Sequence, residues 1–195
     1  MPGERPPGCK NNQAFLMAQI KKPDAVKLIV GALSAYPDLL GRAGEALREM
    51  YGPVDLESGL IPFDFTRYYE KQMGAGLLRK FFAFERLADP AILPDVKIRT
   101  NRLEVELAGE AEAAVPRPIN LDPGYITPAK LVLASAKDFS HRVYLRDGIF
   151  AEVTLHFEKG GTFRSWPWTF PDYKTNPEYH EFLLAARHKC REQLK

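Results

Sequence analysis

The sequence predicts one domain of the α+β class, and three observations support this prediction. An apolar run of buried-strand type near the start of the chain leads at once into a segment of helical periodicity. Two aromatic, strand-like segments, a second helical segment and a further extended segment follow in that order. Beyond Lys130 the pattern changes to successive short strands with glycine turns between them, and the last segment again has helical periodicity.

The first strand and the first helix have clear boundary signals. Val26–Leu33, with the sequence VKLIVGAL, is apolar enough for a strand that is buried on both faces. Pro37–Asp38 opens a helix whose apolar side chains recur at helical spacing, and Gly52–Pro53 stands where such a helix ends. We interpret residues 1–24 as a flexible leader and residues 25–195 as a single domain.

The middle of the chain completes a known order of elements. Ser58–Tyr69 and Leu77–Leu87 are aromatic and β-branched enough for two strands, with a glycine-containing turn between them. A helix follows, with Asp95 as its N-cap and Gly109 at its end, and PRPINLDPGYI then resumes extended structure. The order strand, helix, strand, strand, helix, strand is that of the ferredoxin-like plait.

An antiparallel meander is predicted to extend this plait. Asp147–Gly148 is the signal of a two-residue hairpin turn, and the glycines of EKGGT supply a second turn. The strands around these turns are predicted at Leu131–Ala136, Arg142–Arg146, Ile149–Phe157 and Thr162–Trp168.

The last predicted element is a C-terminal helix. Asn176 is its N-cap and Pro177 its first residue. One apolar stripe runs along it, formed by Tyr179, Phe182, Leu183, Ala186 and Cys190. Because free cysteines are among the most buried residues, Cys190 is predicted to be a core thiol rather than a nucleophile.

Composition narrows the classes of function. A formal net charge of +2 provides no basic stripe, so nucleic-acid binding is not favoured. No run approaches the ~20 apolar residues of a membrane helix, and the start of the chain lacks the apolar core of a secretory signal. Cys9 and Cys190 have no partner at zinc-site spacing, so we expect a cytoplasmic protein without a disulfide framework. The oligomeric state stays open.

Hairpin geometry predicts one pair of functional side chains. If Asp147–Gly148 is a two-residue turn, Val143 lies opposite Glu152 and His141 becomes a diagonal neighbour of Glu152, with backbone positions ~7–8 Å apart. A carboxylate beside an imidazole suits general acid–base chemistry, in which Glu152 orients His141. The alternative is an ordinary ion pair on a half-exposed face.

A second candidate group lies in NLDPGY. Pro123–Gly124 is a type II turn signal, and Asn120 and Asp122 are polar enough to satisfy such a turn. The other interpretation makes Asp122 a base or a ligand of a divalent cation such as Mg²⁺, which prefers oxygen ligands. Both interpretations remain open for Asp122, while the turn is favoured for Asn120.

Polar and charged groups occur at both ends of the strand KLVLASAK. Cationic groups beside carboxylates suit a phosphate or carboxylate ligand, whereas solvated strand ends are the alternative. The cationic set is Lys130, Lys137, Arg142 and the more distant Arg79; the predicted ligand-binding residues are Asn120, Tyr125, Lys137, Asp138 and Arg142.

Several segments together resemble a prokaryotic family called domain of unknown function forty-four-sixteen. They include DFTRYYEKQMG, NLDPGYI, KLVLASAKDFSHRVYLRDGIFAEVTL and WTFPDYK, and the resemblance covers the chain from about Val26 onward. It implies GTP binding, from a label carried by some members. Neither a GxxxxGK[ST] loop nor a GxGxxG motif is present, so guanine nucleotide would bind at a different kind of site around Lys137, His141 and Arg142.

These observations predict a protein that binds a phosphorylated or otherwise anionic small molecule, a nucleotide among them. A metal-assisted hydrolase, lyase or transferase is one form of this function, with His141 as acid or base, Glu152 orienting it and Asp122 as metal ligand or second base. Aromatic segments such as WTFPDYK also suit a non-catalytic nucleotide- or RNA-binding module, and an assembly protein is the third alternative. Whether the chain is an enzyme stays open.

Overall fold

A computed structural model describes residues 19–66, 69–158 and 161–195. Within these ranges the architecture is mixed α+β, with a nine-stranded sheet and five α-helices. Most of the predicted leader, residues 1–24, lies outside the described residues. No helix in the described part of the chain is long and apolar enough to cross a membrane.

The elements follow one another with short connections, and a 3-10 turn at Pro90–Ile92 precedes the third helix. In chain order they are β1 (Val26–Ser34), α1 (Pro37–Tyr51), β2 (Val54–Glu57), β3 (Ile61–Pro62), α2 (Glu70–Met73), β4 (Leu78–Ala88), α3 (Leu93–Glu110), β5 (Ile119–Ile126), β6 (Lys130–Ser135), β7 (Val143–Arg146), β8 (Ile149–Phe157), β9 (Phe163–Ser165), α4 (Pro171–Thr175) and α5 (Pro177–Gln193).

The sheet is continuous through both halves of the chain. Its strand order is β2-β4-β1-β5-β6-β8-β7, with β3 also paired to β4 and β9 also paired to β8. All of these pairs are antiparallel. β5 is therefore the strand that joins the first half, built around β1 and β4, to the meander of β6, β7, β8 and β9.

Two apolar cores cover opposite faces of the sheet. Alternate residues of β1, such as Val30 and Ala32, pack with α1 and α3 in one core. Ile29 belongs to the other core, together with Phe81 of β4 and the apolar stripe of α5. Because both faces of β1 are covered, the whole strand is buried, which explains its uninterrupted apolar sequence.

The sequence predicted the most regular elements correctly. β1, α1, β4, β6 and β8 lie at or within one or two residues of their predicted bounds. The Asn176 side chain accepts hydrogen bonds from the backbone N–H groups of Glu178 and Tyr179 at the start of α5, and Cys190 is fully buried on the predicted stripe. Asp147 and Gly148 both have positive φ, at 54° and 75°, as the hairpin turn requires.

The strand predicted at Ser58–Tyr69 is wrong. Within the described residues of that segment, the strand that pairs with β4 is limited to Ile61–Pro62, and a separate strand, β2, precedes the segment. The aromatic side chains suggested a strand, but Phe63 and Phe65 instead pack beside Met73 in a small core formed by a loop and α2. Arg67 and Tyr68 lie outside the described residues.

Two boundary predictions are also wrong. Asp95 lies within the first turn of α3, which already begins at Leu93, and it is Asp89 whose side chain caps the preceding 3-10 turn. Pro123–Gly124 is not a turn, because β5 runs straight through both residues. A Cβ atom on Gly124 would overlap the carbonyl oxygen of Val132 on β6, so close packing between strands explains this glycine.

Candidate functional site

A groove of about 370 Å³ lies on the meander half of the sheet. Its volume is within the range of small-molecule sites. Its lining comes from β5, β6, the loop before β7, β7, β8 and the segment after β9. The lining residues are Tyr125, Lys130, Val132, His141, Val143, Ala151, Glu152, Val153, Trp166 and Trp168.

The floor of the groove is aliphatic. Val132 pairs with Val153, and Val143 pairs with Ala151, so these side chains lie on one face of three neighbouring strands. Tyr125 pairs with Val132 from the other side and extends the same surface. This apolar surface is partly buried and continues into a small core with Leu93 and Ile98 of α3.

Glu152 is buried beside the groove, and several donors hold its carboxylate. Oε2 accepts a hydrogen bond from Arg142 Nε at 2.8 Å and lies 3.2 Å from His141 Nε2. Oε1 accepts a hydrogen bond from Thr154 Oγ1 at 3.1 Å. A carboxylate paired with arginine is an acceptor only, so the contact with His141 requires a proton on Nε2. In the neutral imidazole, Nδ1 then carries a lone pair.

Arg142 also fixes the segment between β6 and β7. Its Nη1 donates to Ser135 Oγ at 2.7 Å and to the carbonyl oxygen of Lys137 at 2.9 Å. The same guanidinium therefore connects the end of β6 with Glu152 on β8. This bridge holds His141, the residue next to Arg142, against the groove.

Four aromatic rings form a stack along one side of the groove. Trp166 and Trp168 have ring centroids 5.4 Å apart and an interplanar angle of 6°. Trp168 stacks on His141 at 5.6 Å, and His141 stacks on Phe139 at 6.0 Å, both at 15°. Arg142 covers Phe139, with Cζ 4.8 Å from the ring centroid. The imidazole is thus held both by its hydrogen bond and by its neighbours in the stack.

A threonine anchors the two tryptophans to the sheet. Thr169 Oγ1 donates to the carbonyl oxygen of Thr154 at 2.7 Å and accepts from the backbone N–H of Trp166 at 2.8 Å. Sequence reasoning missed Trp166, and it included Trp168 only as part of the aromatic segment WTFPDYK. The available signal was SWPWT directly after a short strand, since it contains both tryptophans of the chain.

His141 and Glu152 do meet, although the pairing that led to this prediction is wrong. Val143 lies opposite Ala151 instead of Glu152, because the register shifts between Tyr144 and Arg146. His141 lies before β7, outside the ladder, and reaches Glu152 from the loop.

Asp122 and Asn120 belong to a different cluster, which does not line the groove. Asp122 Oδ2 accepts from Arg79 Nη1 at 3.1 Å and from Asn120 Nδ2 at 2.7 Å, while Lys97 Nζ lies 3.9 Å from Oδ1. Burial alone would raise the pKa of Asp122, but Arg79 and Lys97 outweigh burial and hold the pKa below its usual range. Among the contacts of the described residues, none connects Asp122 with Glu152.

The predicted basic groups therefore do not converge on one point. Arg79 pairs with Asp122 and Arg142 with Glu152, so each arginine neutralises a carboxylate. Lys130 lines the groove, whereas Lys137 is exposed outside it. Asp138 is exposed on the same loop as Lys137.

The described residues contain no group of three or more His, Cys, Asp or Glu side chains that could hold a metal ion. Glu152 and Asp122 are each paired with an arginine, so either would have to give up that partner to ligate a cation.

Comparison with known proteins gives one match. A family model described as a domain of unknown function (DUF4416) matches residues 24–190. No curated protein matches the chain, and no solved structure does.

Proposed function

Since the chain belongs to the domain-of-unknown-function family DUF4416, whose description states no activity, we infer its function from the groove. We propose that the groove binds a small anionic molecule that carries a planar ring. A nucleotide is the class that fits best. The observation that carries this proposal is the combination, in one groove, of an aliphatic floor, a wall of stacked aromatic rings and a lysine at the rim.

The charges around the groove favour an anionic ligand. Glu152 is the acidic residue in the lining, and Arg142 already compensates its charge. Lys130 is exposed at the groove and is free to contact a phosphate or carboxylate, whose charge makes hydrogen bonds stronger. The aliphatic floor and Tyr125 suit the ring of the same ligand.

His141 has the arrangement of a general base. With Nε2–H donated to Glu152, Nδ1 can accept a proton from a hydroxyl group of the ligand or from a water molecule. Glu152 would then stabilise the imidazolium, so the proton stays on His141 until a leaving group takes it. This chemistry suits a hydrolase, lyase or transferase, and a divalent cation would enter bound to the ligand.

A non-catalytic module for nucleotides or RNA is the second candidate, and the aromatic stack favours it. Single-stranded nucleic acids bind by stacking their bases on aromatic side chains, with phosphate contacts that weaken steeply as salt rises. Binding of a short RNA at low salt, lost at moderate salt, would favour this candidate. Catalytic turnover dependent on His141 would favour the first.

Intrinsic tryptophan fluorescence tests the proposal directly, because both tryptophans of the chain line the groove. We expect saturable quenching on titration with AMP, GMP or GTP, with and without Mg²⁺. Lys130→Ala and His141→Ala should raise the dissociation constant about tenfold, equivalent to ~1.4 kcal/mol. Lys22→Ala, which removes an exposed lysine outside the groove, is the control and should bind as the wild type does.

Two results would contradict the proposal. One is the absence of quenching by any nucleotide or sugar phosphate at millimolar concentration, with the protein folded by circular dichroism. The other is quenching that is unchanged in both groove variants, since the ligand would then bind elsewhere.

We also propose that β1, β2, β4 and β5 form a ferredoxin-like plait with α1 and α3. The support is the strand order β2-β4-β1-β5, in which α1 follows β1 and α3 follows β4. An experimental structure with α1 and α3 on opposite faces of the sheet would contradict this assignment.

A further inference from the structure

A second polar cluster is buried on the α5 face of the sheet, away from the groove. Arg79 projects from β4, Asp172 and Tyr173 belong to α4, and Tyr179 belongs to α5. Their relative exposures are 4%, 4%, 3% and 0%, so all four side chains are in the interior. Charged and hydroxyl groups at such depth need hydrogen-bond partners.

Several polar atoms of this cluster have no such partner among the described residues. They are Arg79 Nε, the Tyr173 hydroxyl and the Tyr179 hydroxyl. Arg79 Nη2 lies 3.8 Å from Asp172 Oδ2, which is too long for a hydrogen bond. Arg79 Nη1 donates a hydrogen bond to Asp122 Oδ2 at 3.1 Å, whereas Nε has no such partner among the described residues.

The three residues that carry these atoms lie around the ring of Phe81: Arg79 Cζ is 5.9 Å from its centroid, and the ring centroids of Tyr173 and Tyr179 are 6.1 and 4.7 Å from it. Burial raises the pKa of Tyr179 to about 12, while Arg79 opposes that rise and Asp172 adds to it. The same two charges act on Tyr173. The two tyrosine rings also pack against each other, with centroids 5.4 Å apart.

We propose that this cluster binds a hydroxyl oxygen, supplied either by a trapped water molecule or by a hydroxyl group of a small ligand. Such an oxygen would accept a hydrogen bond from Arg79 Nε and donate one to Asp172, and the tyrosine hydroxyls would complete its coordination. Buried waters in proteins typically make about three hydrogen bonds of this kind.

The cluster has a connection to the surface through Asp122. The Asp122 side chain is 31% exposed and contacts Arg79 on its inner side. Asn120 and Arg117 continue the hydrogen-bonded chain outward from Asp122. This site is separate from the groove and does not depend on the function proposed for it.

Tyrosine-to-phenylalanine variants distinguish an occupied site from an empty one. A hydroxyl that bonds to a bound oxygen stabilises the fold, whereas a buried hydroxyl without a partner destabilises it. We expect Tyr173→Phe and Tyr179→Phe each to lower the urea midpoint by about 0.5 M. In the double variant the urea midpoint should fall by less than the sum of the two single decreases, because both hydroxyls bind the same molecule.

Tyr51→Phe is the matched control. The Tyr51 hydroxyl is also buried without a hydrogen-bond partner, but its ring packs against Phe84 in the opposite core. Removing it should leave the midpoint unchanged or raise it. If Tyr173→Phe and Tyr179→Phe behave like Tyr51→Phe, the cluster binds nothing and the proposal is overturned.

Thermal unfolding with D-ribose or glycerol then identifies the source of the oxygen. If a ligand hydroxyl supplies the oxygen, the melting temperature should rise more for the wild type than for Tyr179→Phe. A trapped water predicts equal rises, together with an ordered water between Arg79 and Asp172 in a high-resolution crystal structure. A crystal structure in which this space is closed by the side chains themselves would overturn the proposal.

Discussion

Two carboxylates share Arg79, and the structure places their pKa values on opposite sides of the ordinary range. Burial would raise the pKa of Asp122, but Arg79 and Lys97 outweigh it and the pKa is lowered. At Asp172 burial is the larger effect and raises the pKa, which Arg79 offsets only in part. The two carboxylates differ because Asp122 has a second cation, Lys97, 3.9 Å away, whereas Arg79 is the cation that acts on Asp172.

This difference predicts opposite pH dependences for two asparagine variants. Asp122 has a lowered pKa, so its contribution to stability is present above the unfolded pKa of ~3.9 and is lost as pH falls through the folded value. Asp122→Asn should therefore be most destabilising near neutral pH, with the deficit shrinking below about pH 4. Urea unfolding at several pH values would measure this change.

For Asp172 the contribution to stability depends on pH in the opposite direction. Its raised pKa stabilises the folded state below the unfolded pKa, and this contribution is lost as pH rises through the folded value. Asp172→Asn should therefore gain stability relative to the wild type between about pH 4 and 7, by ~1.4 kcal/mol for each unit of pKa difference. If the stabilities of the two variants relative to the wild type changed with pH in the same direction, this account of Arg79 would be contradicted.

Gly124 is the residue at which local sequence signals were most misleading. Pro-Gly is a strong turn signal, yet the neighbouring strands decide the conformation here. An added Cβ would overlap the Val132 carbonyl oxygen and lie 2.6 Å from Leu133 Cδ2. Gly124→Ala should destabilise the fold by ~1–3 kcal/mol through overpacking, measured by urea unfolding.

The control for that prediction is Gly41→Ala. Gly41 lies in α1, where a new Cβ meets nothing within 4 Å. Alanine at an exposed helical position should stabilise the protein by ~0.5–1 kcal/mol relative to glycine. Equal effects of the two substitutions would mean that β5 and β6 are not closely packed at Gly124.

At the scale of elements, the ion pair between Arg142 and Glu152 holds the loop between β6 and β7 in place. Both side chains are buried, at 6% and 2% exposed. Arg142→Ala should cost ~3–5 kcal/mol, because it leaves Glu152 as a buried charge without its cation. The double variant Arg142→Ala/Glu152→Gln should recover part of that loss in urea unfolding.

Arg146→Ala provides the comparison within the same hairpin. Its ion pair with Asp95 is exposed on both sides, and exposed pairs contribute little. We expect no measurable change in the urea midpoint. A loss as large as that of Arg142→Ala would show that burial does not determine the cost of breaking these pairs.

Elements with strong local signals were predictable from the sequence, whereas those set by distant neighbours were not. Local signals are sufficient to predict β1, from its continuous apolar run, and α5, from its N-cap and its apolar stripe. The register shift in β7 depends on contacts with β8, so hairpin rules gave the wrong pairing although His141 and Glu152 do meet. The wall of Trp166 and Trp168 forms because Thr169 binds β8, a contact that no local pattern indicates.

At the scale of the whole molecule, β5 and α5 connect the two halves of the sheet. β5 pairs with β1 on one side and with β6 on the other. α5 packs its apolar stripe into a core that contains Ile29 of β1 as well as Leu131 and Leu155 of the meander. On the α5 face of the sheet, both halves contribute to one apolar core, which favours a single cooperative domain.

This connection predicts one unfolding transition for residues 25–195. Tryptophan fluorescence reports on the meander half, where Trp166 and Trp168 lie, whereas far-UV circular dichroism reports chiefly on the helices. The two signals should change at the same urea concentration if the sheet unfolds as a unit. Leu183→Ala, at a fully buried position of α5, should lower both midpoints equally, at a cost of ~2–5 kcal/mol. Separate midpoints, or a shift in only one signal, would divide the chain into two domains and make the groove a property of the meander alone.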